Sequence, residues 1–220
     1  MNFATQLTGG GLRYSRNAFN NEKRKVYYQN KNDISSVLNI MDIIEDVKLL
    51  KKNVYKAKDV ISPFGIPFGS SQKVVTDVFG KPNFILSSTE IENHQVYFYK
   101  RRVTSYKYLL QIHFIDNEMV YVMNKFSTNF VYDEKELNNI GNMLIEKYTD
   151  SLNDKFISDD FSIADGDGNK IRIVTSMNLK VRYVWGNERF ISKLNEQLRN
   201  DISQNVNLKK NKRSFLMSFL

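Results

Sequence analysis

Few residues here could do acid–base chemistry near neutral pH: two histidines, His94 and His113, and no cysteine in 220 residues. An imidazole can pass a proton, but general-base work needs a reacting group within hydrogen-bond reach. A histidine in a loop (His94) or alone on a strand (His113) does not supply one, so neither is assigned a catalytic role. The lack of cysteine removes disulfides, thiol nucleophiles, cysteine-based zinc sites and an acylated cysteine anchor. The carboxylates follow no spacing that sets two on one strand end, and no G-x-S-x-G, P-loop or dinucleotide fingerprint occurs. The expectation is therefore no catalytic residues, no metal and no cofactor: not an enzyme.

One acidic run invites a cation. Asp159-Asp160 and Asp165-Gly166-Asp167-Gly168-Asn169 cluster oxygen ligands as a calcium loop does. The twelfth position from Asp165, where such a loop needs a bidentate Glu, is Ser176. Asp-Gly between alternating runs is a hairpin signal, and the segment reads as a turn.

The cations are more informative. The net charge is +8, but residues 1–33 carry +4, residues 202–220 carry another +4, and residues 34–201 balance 22 basic against 22 acidic side chains. Basicity thus belongs to the ends, and attraction to polyanions or acidic proteins is expected to run through flexible arms. Within the body, alternation sets Lys170 and Arg172 opposite Ile171 and Ile173, and Lys180 and Arg182 opposite Leu179, Val181 and Tyr183. If those strands pair, the four cations share an outer face. That face is a candidate phosphate- or acidic-surface-binding site, and the plainer reading is a solvated face guarded against edge pairing. At the C-terminus, Lys209, Lys210, Lys212 and Arg213 precede Phe215, Leu216 and Phe219. So many large apolar residues should be covered, which makes this segment a candidate partner-binding site.

The elements that must position these residues follow from spacing. Residues 1–33, rich in Gly, Asn and charge, read as a basic flexible arm. Ile34, Val37, Leu38, Met41, Ile44 and Val47 predict a helix ending near Asn53, with Asp33 as its N-cap. A Pro/Gly stretch leads into a short helix from Ser71 to Phe79, with Ser70 capping its start, Val74, Val75, Val78 and Phe79 buried, and Gly80 closing it. Four strands follow as an antiparallel meander: 84–88, 95–101, 107–115 and 119–126, with Asp116-Asn117 as the tight turn. A helix over Glu134–Tyr148, strands near 155–164, 170–175 and 179–185, and a helix from about Glu188 to Asp201 make a second unit.

The segment Gly69 to Pro82, G-x10-G-x-P around an apolar helix, resembles the helix-and-turn signature of the SmpA/OmlA (BamE-like) family and, more loosely, the β-lactamase-inhibitor-like fold. The motif covers residues 69–82, and the layout extends over about 34–126. The resemblance implies a helix layer on an antiparallel sheet, no catalytic residues and a role in binding other proteins. Members of that family are exported lipoproteins, and this sequence shows neither a signal segment nor an acylated cysteine.

The expected fold is α+β, helices packed on antiparallel sheets in two consecutive helix-then-strands units: a 1–33 arm, a 34–131 unit, a 132–201 unit and a 202–220 basic–apolar tail. The leading functional expectation is a non-catalytic interaction or assembly component that engages other protein subunits through its terminal arms. The alternative is a nucleic-acid-associated protein binding phosphates through the arms and the basic sheet face. No run reaches the roughly 20 apolar residues of a membrane span. With no signal segment, the expected compartment is the cytoplasm.

Overall fold

The structure is a computed structural model describing residues 20–49, 54–103, 106–127, 134–150, 161–175 and 179–217. Its helices are α1 (residues 20–29), α2 (Val37–Leu49), α3 (Gln72–Phe79), α4 (Glu134–Tyr148) and α5 (Glu188–Met217). Its strands are β1 (Val54–Lys56), β2 (Phe84–Ser87), β3 (His94–Val103), β4 (Tyr106–Ile115), β5 (Glu118–Ser127), β6 (Ser162–Ala164), β7 (Lys170–Thr175) and β8 (Leu179–Val184).

The α+β class holds, but the sheets expected for two units are one. Among the described residues, eight strands form a single mixed sheet, ordered β1-β6-β7-β8-β5-β4-β3-β2. The joint is the antiparallel pairing of β5 with β8, from Tyr121↔Val184 to Phe126↔Leu179. Sequence spacing did not reveal β1, a three-residue strand pairing parallel to β6. It makes the sheet mixed.

Strand alternation gives the sheet two apolar faces. Tyr97, Tyr99, Leu110, Ile112, Phe114, Val122, Ile171, Ile173, Val181 and Tyr183 face a core completed by Val75 of α3 and by Ile145 and Tyr148 of α4. On the opposite face, Ile115, Tyr121, Met123 and Val184 pack with Val37, Ile40, Met41 and Ile44 of α2 and Phe190 and Leu194 of α5. The interior is therefore a helix–sheet–helix sandwich.

Several element ends differ from expectation, each for a local reason. Residues 20–33, expected in the arm, fold onto the sheet because Tyr28 is buried against Val96 and Phe98. α2 begins at Val37, capped by Ser36, whose Oγ accepts the Asn39 N–H at 3.3 Å. Asp33 is not its cap. Leu38 is 54% exposed, while Ile40 and Ile43 turn inward. In α3 the N-cap residue is Ser71, not Ser70, and the Gln72 N–H is instead satisfied by Asn117 Oδ1 at 3.2 Å. Val75 is fully buried and Phe79 packs on Tyr99, but Val74 and Val78 face solvent. The final helix runs through Met217, past the expected end at Asp201. No Gly or Pro lies between residues 188 and 217 to stop it.

Candidate nucleic-acid interface

Helix α1 is held by its second tyrosine. Tyr28 stacks on Phe84 with ring centres 4.5 Å apart and leans on Phe98 at 4.8 Å. Arg24 secures the same helix by donating to the Asn83 carbonyl at 2.9 Å. With Tyr28 inward, neighbouring Tyr27 stays 42% exposed beside the far end of β3. Lys100 Nζ lies 4.2 Å above its ring centre and Lys31 Nζ 5.9 Å away, both in the range of cation–π attraction.

The ends of β3 and β4 bring more cations to this place. Lys100, Arg101, Arg102 and Lys107 are exposed and, with Tyr27, Tyr108 and Leu109, line a hollow of about 490 Å³. No carboxylate lies among those lining residues. The strand register then lays cation opposite cation across the sheet: Arg102↔Lys107, Lys125↔Lys180 and Arg172↔Arg182. Like charges directly opposite one another cost stability. The Lys125 ammonium has its pKa lowered, first by burial and then by Lys31 and Lys180.

One carboxylate offsets part of this charge. Asp33 Oδ1 accepts from Lys180 Nζ at 2.6 Å, and Oδ2 from Arg182 Nη2 at 2.9 Å and Tyr121 Oη at 2.6 Å. The Asp33 N–H donates to Gln111 Oε1 at 3.0 Å, and the Gln111 amide donates to the Lys31 carbonyl. Burial works to raise the Asp33 pKa, but Arg182, Lys180 and Tyr121 outweigh it and hold the carboxyl below its usual value. Two cations around one anion leave an excess positive charge. This clamp also fixes the chain leaving α1, and with it Tyr27 and Lys31.

The four body cations named from sequence do share one face. It is not an open one: Lys170, Arg172, Lys180 and Arg182 are all half-buried, and two of them hold Asp33. The cationic surface is displaced toward the β3–β4 end, where Lys100, Arg101, Arg102 and Lys107 were missed. The signal was present in the Lys100-Arg101-Arg102 run, but a balanced net charge over residues 34–201 concealed its clustering. Of the C-terminal candidates, Lys209, Lys210, Lys212, Arg213, Phe215 and Leu216 lie on the last turns of α5, and Phe219 lies outside the described residues.

The histidines meet instead of standing apart. His94 opens β3, where a loop was expected, and its Nε2 lies 3.0 Å from His113 Nδ1 of β4. Exposures are 2% and 0%, and Tyr121 stands edge-on to His113 at 5.0 Å. Burial lowers the His94 pKa to about 4 and pushes His113 well below its ordinary value. Both rings are therefore neutral near pH 7, and one can donate to the other. His94 Nδ1 and His113 Nε2 find no hydrogen-bond partner among the described residues. The pair can share a proton, but it is sealed from solvent.

Of the acidic run, Asp165 to Asn169 close the β6–β7 hairpin as a turn, and Asp159-Asp160 lie outside the described residues. Asp165 Oδ1 accepts the N–H groups of Asp167 and Asn169, while Oδ2 accepts from Ile61 N–H at 2.7 Å and Asn169 Nδ2 at 2.9 Å. Its carboxylate serves as the hub of the loop. The turn also packs tightly on the corner after β8, where a Cβ on Gly186 would meet the Gly168 backbone at 2.0 Å.

No helix among the described residues is long and apolar enough to cross a membrane. No family model matches the chain, and no curated protein matches it. Among solved structures it is similar to a cysteine-rich secretory protein from Staphylococcus aureus subsp. aureus Mu50, at 17% identity and a TM-score of 0.35, covering 63% of this chain and half of that one.

Proposed function

We propose that this is a non-catalytic, nucleic-acid-associated protein that contacts phosphates through the cationic band at the β3–β4 end of its sheet. The observation that carries the reading is the cross-strand placement of like charges, Arg102 against Lys107 and Lys125 against Lys180. Asp33 already offsets part of the Lys125–Lys180 repulsion through its ion pair with Lys180, and a polyanion lying across the band adds contacts to the exposed cations at its β3–β4 end and releases its counterions. The sealed histidine pair gives no competing support for an enzyme. The cytoplasm remains the proposed compartment.

A labelled mixed-sequence oligonucleotide titrated at several salt concentrations tests this. Affinity should fall linearly in log salt, and Lys107→Glu with Lys125→Glu should weaken binding by about tenfold or more and flatten the slope. If the double variant bound normally while removal of residues 204–220 abolished binding, the arm would be the site. If the wild type showed no salt-dependent binding, the nucleic-acid reading would be wrong.

A second reading rests on the segment 69–82. Its helix, the buried Val75 and the positive φ of Gly80 agree with the SmpA/OmlA-like signature, which favours an assembly component that binds other protein subunits. Capture of a stoichiometric protein partner that survives nuclease would support it over the first.

A further inference from the structure

We propose that the hollow beside Tyr27 receives an unstacked base, so that the cationic band prefers single-stranded to duplex nucleic acid. The inference rests on the nucleic-acid reading above and adds to it the form of the ligand.

Three features point to a base and not only to phosphates. Tyr27 exposes an aromatic ring along a cavity lined by four cations, Tyr108 and Leu109, and every base has a face that stacks on such a ring. The ring is not a loose side chain on a mobile arm. Tyr28 locks α1 to Phe84 and Phe98, and the Asp33 clamp fixes the chain just beyond Lys31. A pre-positioned ring loses little freedom on binding. Lys100 Nζ lies over a face of this ring at 4.2 Å and Lys31 Nζ at 5.9 Å, so an inserted base takes the place of the Lys100 ammonium on the ring, and the displaced ammonium meets the adjoining phosphate.

A hollow of about 490 Å³ holds a nucleobase with space for adjoining sugar, and Leu109 supplies an apolar surface within it. A duplex keeps its bases stacked on one another and presents only its outer phosphates, so it can use the cations but not the ring. Inserting one of its bases requires unstacking and unpairing first. An acidic peptide could likewise use the cations, but its carboxylates have no π-face to offer Tyr27.

The full chain should be titrated with labelled (dT)12, with a 12-base-pair mixed-sequence duplex and with poly-glutamate of matched charge, all at about 50 mM salt. The expected order is (dT)12 tightest. Tyr27→Ala should weaken (dT)12 by about 5- to 30-fold and leave the duplex nearly unchanged, whereas Tyr27→Phe should keep both affinities. Because Tyr27→Ala could loosen α1, a second reporter is Tyr27→Trp, whose emission should be quenched by (dT)12 and not by duplex. Equal binding of duplex and single strand, with Tyr27→Ala neutral and no quenching, would overturn the base site while leaving the phosphate-binding reading standing. Poly-glutamate binding with neither nucleic acid bound would overturn both in favour of an acidic protein partner. Absence of binding to all three would also overturn both.

Discussion

Asp33 and the two histidines carry roles that arise only from long-range contacts. Asp33 stands where a helix cap is expected, immediately before the expected apolar face that opens at Ile34, yet its carboxylate meets cations about 150 positions later. Spacing along a chain carries no information about such a partner. His113 was legible as a strand residue, but its contact with His94 depends on the β3–β4 register, in which Val96 and not His94 stands opposite it. The pair has a consequence for stability. Both imidazoles are held neutral by burial, with His94 at about 4 against an ordinary value of 6.5. The folded protein thus binds fewer protons than the unfolded chain below pH 6.5, and stability must fall as the pH drops from there toward 4. Between pH 7 and pH 5 the cost from His94 is about 2 kcal/mol, and His113 adds to it in the same sense. Asp33 acts in a lower window: its depressed carboxyl stabilises above its unfolded value of 3.8 and loses that contribution as pH falls through its folded value. Urea midpoints at pH 7 and pH 5 should therefore separate strongly for the wild type and much less for His94→Gln/His113→Gln. An equal separation in both proteins would place the acid sensitivity elsewhere.

Elements were most legible where a local rule sufficed. The strands of the β2–β5 meander appear within three residues of their expected limits, because alternation and turn residues set them. Asp116 and Asn117, the turn between β4 and β5, have φ of 50° and 67°, the left-handed region that a tight hairpin requires. The inward face of α3 was legible only in part. Apolar residues at 74, 75, 78 and 79 define a stripe too wide for one contact line, and the sheet selects Val75 and Phe79. Gly80 ends this helix at φ 74° and ψ −166°, a region essentially reserved for glycine, although a Cβ there would meet nothing within 4 Å. The cost of replacing it is thus backbone strain alone. Gly80→Val should lower stability by about 1–3 kcal/mol, with no change in strand content. Val75→Asp places an unpaired carboxylate in the core and should prevent folding at neutral pH. Circular dichroism with thermal melting reads both. Wild-type melting in either variant would contradict this account of α3.

The whole molecule was the least legible scale, because two runs of helix followed by strands suit two small sheets as well as one large one. What decides is the edge of β5. Left alone, that edge would expose backbone donors and acceptors from Tyr121 to Phe126, and β8 satisfies it by antiparallel pairing. The resulting core spans both halves of the chain: Val75, Tyr97 and Leu110 from the first share one apolar cluster with Ile171, Ile173 and Val181 from the second. Damage at the joint should therefore propagate. Val181 is 2% exposed on β8, directly across from Asn124 of β5. Val181→Ala removes two buried methyl groups and should cost about 2 kcal/mol. In a single cooperative sheet that loss appears in the protection of every slowly exchanging strand amide, including Val96 and Phe98 of β3, which lie three strands away. In two independent units it would be confined to β6, β7 and β8. Native-state hydrogen exchange on the variant separates the cases, and unchanged protection of the β3 amides beside weakened β7 amides would show the halves to fold apart. Denaturation followed by Trp185 fluorescence, which reports the corner after β8, should match the far-ultraviolet transition of the whole sheet. Two separated transitions would likewise mean that the halves unfold independently and that the β5–β8 joint does not couple them.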